Sequence, residues 1–131
     1  MDKFIIVESK FSHRGEPREP NFNINKYKKF QDKIEYILLD KSPNNLFEIN
    51  KDDTRINEKI IVNGNLREFF QRNAILEGLK NADEEDLIII SDVDEIPNLE
   101  EINFNEIKND PVFFNQIFCC FKLNLFSKMK W

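Results

Sequence analysis

Three carboxylates follow a run of apolar residues in the segment LIIISDVDEIP, residues 87–97. Val93 alone separates Asp92 from Asp94, and Glu95 comes directly after them. Carboxylates this close repel one another unless a cation, a proton or water compensates their charge. Carboxylate oxygens are the hard ligands that Mg²⁺ and Mn²⁺ prefer. The pattern therefore predicts a metal site at Asp92 and Asp94, where the cation would assist the departure of a substrate diphosphate.

Two other interpretations of this Asp-x-Asp pattern stay open. One is a solvated acidic turn, since short motifs match by chance. The other is a Mg²⁺-dependent phosphatase of the haloacid-dehalogenase type, which also places Asp-x-Asp after a strand, though normally near the N-terminus. Such a phosphatase would need a lysine and further acids that converge on Asp92. An EF-hand is excluded because its required glycine falls on Pro97.

A second polar feature lies on a helix predicted over residues 66–80. Apolar residues recur on one face of this helix, whereas Arg72 and Asn73 are polar. Beside a bound metal and diphosphate, an arginine would make bidentate contacts to phosphate oxygens. A solvent-facing charge is the alternative interpretation of Arg72.

The elements that must position these residues alternate between strands and helices. In the first half of the chain the pattern predicts a strand at 3–8, a loop at 9–22, a helix at 25–33 and a strand at 34–39. It then predicts a short strand at 59–62, a turn at 63–65 with Asn65 as helix cap, the helix at 66–80, a strand at 87–91, and one strand or two with a bend at 112–125. This order is typical of an α/β domain with a mostly parallel sheet.

Ligands of parallel α/β sheets collect at the carboxyl ends of the strands. Glu8 and Ser9 lie at one predicted strand end, and the segment from Asp92 to Glu95 lies at another. The long loop 9–22 follows the first of these ends, where such loops often contact a ligand.

Composition limits the class of protein. A chain of 131 residues with 40% hydrophobic and 33% charged residues is typical of one globular domain. The net charge of -5 argues against a nucleic acid as the main partner. No apolar stretch approaches the roughly 20 residues that span a bilayer, and no signal peptide is evident, so a cytoplasmic location is expected.

Four segments resemble glycosyltransferase family 17 in the same order and at similar spacing: FIIVES with HRGEP, KFQDKIEYILLD, REFFQRNAILEGL and DLIIISDVDEIP. The resemblance covers most of residues 3–125. It implies a GT-A-like, Rossmann-like domain that binds a nucleotide-diphospho-sugar. The expected donor is UDP-GlcNAc, the expected metal is Mn²⁺ or Mg²⁺, and the acceptor is a glycan that contains mannose or another sugar.

The resemblance also implies site residues. Asp92 and Asp94 match the metal and nucleotide motif of the family. Arg72 and Asn73 match its Gln-Arg-Asn helix. Glu8 and Ser9 match the strand end that borders the nucleotide.

Family members usually extend further at both ends, so residues 1–131 are expected to form a single GT-A-like domain, the donor-binding half. Apolar surface is then expected near residues 112–126.

Transfer with inversion needs a general base opposite the leaving diphosphate. The sequence identifies no convincing base, and Glu100, Glu101 and Glu106 are candidates only by default. A non-catalytic remnant that binds a nucleotide sugar is therefore an open alternative to a glycosyltransferase.

Overall fold

The computed structural model describes residues 3–95, 97–107, 111–115, 117–119 and 126–130, the last two ranges without their side chains. Contacts within the chain define two compact units, Met1–Glu84 (unit 1) and Glu85–Trp131 (unit 2). The single domain expected over residues 1–131 stays a prediction.

Unit 1 begins with two parallel strands, β1 at Phe4–Ser9 and β2 at Ile34–Leu39. Apolar runs without alternation suit a strand covered on both faces, which is why the sequence predicts both strands to within one residue. The register pairs Phe4 with Ile34 and Ser9 with Leu39. The carboxyl ends of both strands therefore lie at the same edge of the sheet.

The connection between these strands contains a small hairpin and a 3₁₀ helix. Phe11 and Pro17 pair in an isolated antiparallel bridge, and Gly15 takes a φ of 87° in the turn between them. Glycine adopts this left-handed conformation without a steric penalty. The helix predicted at 25–33 is present as a 3₁₀ helix at Ile24–Lys33.

Helix α1 spans Ile56–Asn73, and the short helix α2 follows at Ile75–Gly78. The predicted strand at 59–62 and the predicted turn at 63–65 are wrong, because both segments lie inside α1. The amide group of Asn63 accepts from Phe47 N and donates to Phe47 O, each at 2.8 Å. Asn65 is consequently an interior helical residue and not a cap.

Both helices pack against β1. Gln71 Nε2 donates to the Val7 carbonyl at 3.0 Å, and Lys3 Nζ donates to the Gly78 carbonyl at 3.2 Å. Among the described residues the only buried apolar side chain is that of Ala74, which is 7% exposed. The core of unit 1 therefore lies where the α1–α2 junction meets the sheet.

Unit 2 contains 3₁₀ turns at Leu99–Glu101 and Phe104–Glu106 and an antiparallel pair, β3 at Ile117–Cys119 and β4 at Phe126–Lys130. Of the two predictions for the segment that begins at residue 112, one strand or two with a bend, the second agrees with the structure, although the observed strands begin and end at other residues.

The strand predicted at 87–91 is wrong, because these residues have no strand conformation. Leu87, Ile88 and Ile90 are 56%, 50% and 60% exposed, so the segment lacks the burial that its apolar composition predicts. The mixed α/β class and the parallel pairing are observed, whereas a complete GT-A-like sheet stays a prediction. Among the described residues no helix has the length and apolar character to cross a membrane.

Candidate functional site

Glu8 is a buried carboxylate at the carboxyl end of β1, 8% exposed. Its Oε1 accepts from the Asn21 amide at 2.7 Å and its Oε2 from the Phe22 amide at 3.0 Å. The Tyr36 hydroxyl on β2 donates to the same Oε2 at 2.9 Å. The guanidinium of Arg18 lies 4.0 Å from Oε1. Glu8, which the sequence predicts to border a nucleotide, thus contacts four groups of unit 1: two backbone amides, a tyrosine hydroxyl and a guanidinium.

The pKa values of Glu8 and Tyr36 reflect this contact. Burial alone raises the pKa of Glu8, but the two amides, the Tyr36 hydroxyl and Arg18 outweigh it and hold the pKa below its ordinary value of 4.5. Burial, together with the neighbouring carboxylate, raises the pKa of Tyr36 to about 12. Glu8 is therefore ionised and Tyr36 neutral at pH 7.

Ser9 connects to the loop that follows it. Its hydroxyl accepts from the Phe11 amide at 3.1 Å, and its carbonyl accepts from Arg18 Nε at 2.9 Å. An open groove of about 400 Å³ runs along this loop and is lined by Lys10, Phe11, Pro17, Arg18 and Glu19. The lining carries two cations, one carboxylate (Glu19) and an aromatic ring, so its net charge is positive and suits an anionic, partly planar ligand.

The tip of the hairpin is fixed to helix α1. Arg67 Nη1 donates to the His13 carbonyl at 2.9 Å. The guanidinium also covers Gly15 so closely that a Cβ there would lie 2.5 Å from Nη2. His13 itself is exposed. Glycine is thus favoured at position 15 by its conformation, and a Cβ there would also displace the Arg67 guanidinium.

Arg72 and Asn73 occupy the last turn of α1. Arg72 Nε lies 3.2 Å from Glu68 Oε1, and both side chains are partly exposed. Asn73 is exposed. Gln71, the remaining residue of the Gln-Arg-Asn segment, binds β1 through the Val7 carbonyl and so fixes this turn beside Glu8.

Asp92 and Asp94 lie in a turn of unit 2. The Glu95 amide donates to the Asp92 carbonyl at 3.1 Å, and the Asp92 amide donates to Glu95 Oε2 at 2.8 Å. Both aspartates are exposed, and Val93 between them is fully exposed. Glu95 therefore closes the turn, and the two aspartates are open to solvent.

The donor set of this turn fits Mg²⁺ or Mn²⁺ bound together with a substrate. Within the part of the chain that the structure describes, no group of three or more His, Cys, Asp or Glu side chains is arranged to hold a metal ion. Mg²⁺ is commonly bound by one or two carboxylates, with substrate phosphates and water as the other ligands. Two exposed aspartates are compatible with that mode and not with a site made of protein ligands alone.

The default candidates for a base have ordinary surroundings. Glu100 and Glu101 lie on the turn at Leu99–Glu101, and Glu106 accepts from Asn103 Nδ2 at 2.7 Å. All three are exposed. Nothing in these contacts singles one of them out as a base.

The predicted site residues fall in both units: Glu8, Ser9, Arg72 and Asn73 in unit 1, and Asp92 and Asp94 in unit 2. The convergence of Arg72 with Asp94 stays a prediction. Sequence reasoning missed Tyr36, Arg18 and Gln71. For Tyr36 the available signal was a tyrosine in the otherwise apolar end of IEYILL, because a buried phenol usually finds a polar partner. For Gln71 it was its place in the Gln-Arg-Asn segment.

A mixed α/β unit with polar residues at its carboxyl edge, followed by an exposed Asp-x-Asp turn, is compatible with an enzyme that acts on a sugar nucleotide. The family model described as glycosyltransferase family 17 matches residues 1–117. The chain belongs to glycosyltransferase family 17. A search of curated proteins found no match, and neither did a search of solved structures.

Proposed function

We propose that this protein is a metal-dependent, inverting glycosyltransferase that transfers N-acetylglucosamine from UDP-GlcNAc to a glycan. Membership of the family supports a transferase with a sugar donor and a sugar acceptor. The observation that carries the proposal is the extent of the family match, which includes both the Gln-Arg-Asn helix and the Asp-x-Asp turn.

In this proposal Asp92 and Asp94 hold Mn²⁺ or Mg²⁺ through their carboxylates. When bound, the metal supplies electrophilic stabilisation of the diphosphate that leaves. The exposure of both aspartates supports this role, since a diphosphate must reach the same place. Arg72 and Asn73 contribute polar contacts to the donor, the arginine through phosphate oxygens.

Inversion at the anomeric carbon requires a base on the face opposite the diphosphate. The acceptor hydroxyl loses its proton to that base as it attacks the sugar, and the UDP leaves on the other face. We assign no residue to this base.

The test of the metal site is a titration of UDP into the protein with and without Mn²⁺. We expect Mn²⁺ to tighten UDP binding at least about tenfold, since the cation removes the repulsion between aspartates and diphosphate. Asp94→Asn should abolish that gain. Asp52→Asn is the matched control, because Asp52 is an exposed aspartate outside the turn. Equal UDP affinity with and without metal would refute the metal site.

The same preparation separates a transferase from a remnant. Slow hydrolysis of UDP-GlcNAc, or transfer to a mannose-containing glycan, would identify an enzyme. Tight, metal-dependent binding of UDP-GlcNAc without either reaction would identify a nucleotide-sugar-binding remnant instead.

A further inference from the structure

Polar contacts hold the loop at residues 10–22 at three separate points. Glu8 accepts from the amides of Asn21 and Phe22 at its far end. Arg18 returns to the Ser9 carbonyl at its middle, and Arg67 holds the hairpin tip through the His13 carbonyl. A loop fixed in this way has a defined conformation before any ligand binds.

The carboxylate of Glu8 is satisfied by these contacts. An ionised carboxylate accepts hydrogen bonds only, and Glu8 already receives two amide protons and one phenol proton. A nucleotide hydroxyl that donated to Glu8 would therefore compete with these three donors for the same two oxygens. The burial of Glu8 to 8% exposure also restricts access from solvent.

The loop, in contrast, presents groups that a ligand can reach. Lys10, Pro17, Arg18 and Glu19 are exposed, and with the half-buried Phe11 they line the open groove of about 400 Å³. This groove begins directly after the last residue of β1, at the carboxyl edge of the parallel pair, where α/β sheets bind ligands.

We propose that Glu8 is a positioning residue, which together with Tyr36 fixes loop 10–22 so that its groove binds the diphosphate of the donor. This inference rests on the proposed function, because it takes UDP as the ligand. Glu8 acts on the donor only through the loop. The Tyr36 hydroxyl acts through Glu8, while the Tyr36 ring also packs against Phe22 of the loop and is kept in Tyr36→Phe.

The first arm of the test measures the loop itself and needs no ligand. Glu8→Gln replaces one acceptor oxygen with an amide group, so at least one of the Asn21 and Phe22 amides loses its partner. We expect hydrogen exchange at these two amides to accelerate about tenfold. Glu35→Gln is the matched control, because Glu35 lies on the same sheet and pairs with Lys3 away from the loop. Unchanged exchange in Glu8→Gln would overturn the anchoring role.

A spectroscopic readout accompanies this arm. The chain has two tyrosines, so Tyr36 is the only one in a Tyr27→Phe background. Ultraviolet absorbance should show that Glu8→Gln lowers the pKa of Tyr36 from about 12 toward 10, while circular dichroism confirms that the chain is still folded. An unchanged pKa of Tyr36 would contradict the contact between Glu8 and Tyr36 on which the proposed network depends.

The second arm measures UDP affinity in the presence of Mn²⁺ for Glu8→Gln, Tyr36→Phe and the double variant. If Glu8 acts through the loop, both single variants weaken UDP, about tenfold and threefold, and the double variant is no weaker than Glu8→Gln because the two residues share one network. If Glu8→Gln weakens UDP binding and Tyr36→Phe does not, Glu8 contacts the donor directly, and the proposal is overturned. Faster exchange with unchanged UDP affinity would overturn it as well. If the wild-type chain binds no UDP, the proposed function fails, and the first arm still decides whether Glu8 holds the loop.

Discussion

Glu8 carries a buried carboxylate, and two backbone amides of the loop that follows β1 donate hydrogen bonds to it. Its position at the end of β1 makes it a candidate ligand for a nucleotide, but the direction of its carboxylate depends on where residues 18–22 return to the sheet. An apolar run in the sequence shows where a strand ends. It does not show that the chain comes back to Glu8 at Asn21, 13 residues later. This is why the polar residues at the edge of the sheet are predictable and their partners are not.

The lowered pKa of Glu8 makes stability depend on pH in a defined direction. The ionised form is favoured in the folded state, so its contribution is complete above the ordinary value of 4.5 and is lost as the pH falls through the folded pKa. We expect Glu8→Gln to reduce the free energy of unfolding by about 1–3 kcal/mol at pH 7. Urea unfolding of the wild type and of Glu8→Gln should show that their difference in free energy of unfolding is smaller at pH 3.5 than at pH 7. A gap of the same size at both pH values would contradict the role of the charge.

Arg72 allows a residue-scale prediction about the donor. Arg72→Ala should weaken UDP about tenfold and uridine much less, because its proposed partner is a phosphate. Glu68→Gln is the control, since it removes the partner of Arg72 on the helix and keeps the cation. That variant should bind UDP at least as well as the wild type. Equal weakening of UDP and uridine by Arg72→Ala would show that the guanidinium has no phosphate contact.

At the scale of elements, tertiary contacts override local preference in α1. Residues 59–65 contain a β-branched run and an Asn-Gly-Asn segment, which predict a strand and a turn. They are nevertheless helical, and the side-chain amide of Asn63 hydrogen-bonds to both backbone groups of Phe47. These two bonds hold this part of α1 to the segment that precedes it. The strands β1 and β2 were predictable because their apolar runs need burial on both faces. Residues 87–91 have a similar run, but they take no strand conformation and are largely exposed.

Two helical glycines give a matched test of how closely α1 and α2 pack. A Cβ at Gly78 would lie 2.7 Å from Ile5 Cγ2, with two more Ile5 atoms within 2.8 Å. Gly78→Ala should therefore destabilise unit 1 by about 1–3 kcal/mol, because the helix must move away from β1. A Cβ at Gly64 would meet only ordinary contacts, the nearest being His13 O at 3.6 Å. Gly64→Ala should stabilise α1 by about 0.5–1 kcal/mol. Thermal unfolding would measure both, and a loss of stability in both variants would contradict this difference in packing.

At the scale of the whole chain, many large apolar side chains are exposed. Phe113, Leu76 and Phe69 are 88%, 66% and 61% exposed. Val112 and Phe113 confirm apolar surface at the start of the predicted stretch 112–126, and most of that stretch lies outside the residues whose side chains are described. Exposed apolar surface of this kind binds hydrophobic dyes and promotes association.

We therefore expect the folded chain to bind an anilinonaphthalene dye and to associate as its concentration rises. Phe69→Ser should reduce both effects, because Phe69 is 61% exposed and no ring among the described residues packs against it. Phe22→Ser is the contrasting variant, since the Phe22 ring stacks on Tyr27 and lies tilted against Tyr36, at 5.4 and 5.0 Å between ring centroids. That variant should increase dye binding by loosening packed rings. Dye fluorescence and sedimentation velocity would test both, and an equal response of the two variants would contradict the assignment.

The bond from Lys3 to the Gly78 carbonyl joins residues 75 positions apart. Because a ribosome releases the amino end first, β1 emerges long before the helix that covers Ile5 has been synthesised. The segment FIIVES can pair with β2 once Leu39 has emerged, but one face of that pair stays uncovered for about as long again as the first 39 residues took, given steady elongation. Nascent chains of this protein are thus exposed to aggregation in the interval between the synthesis of residues 39 and 78. A run of slowly translated codons between positions 40 and 78 would lengthen this interval.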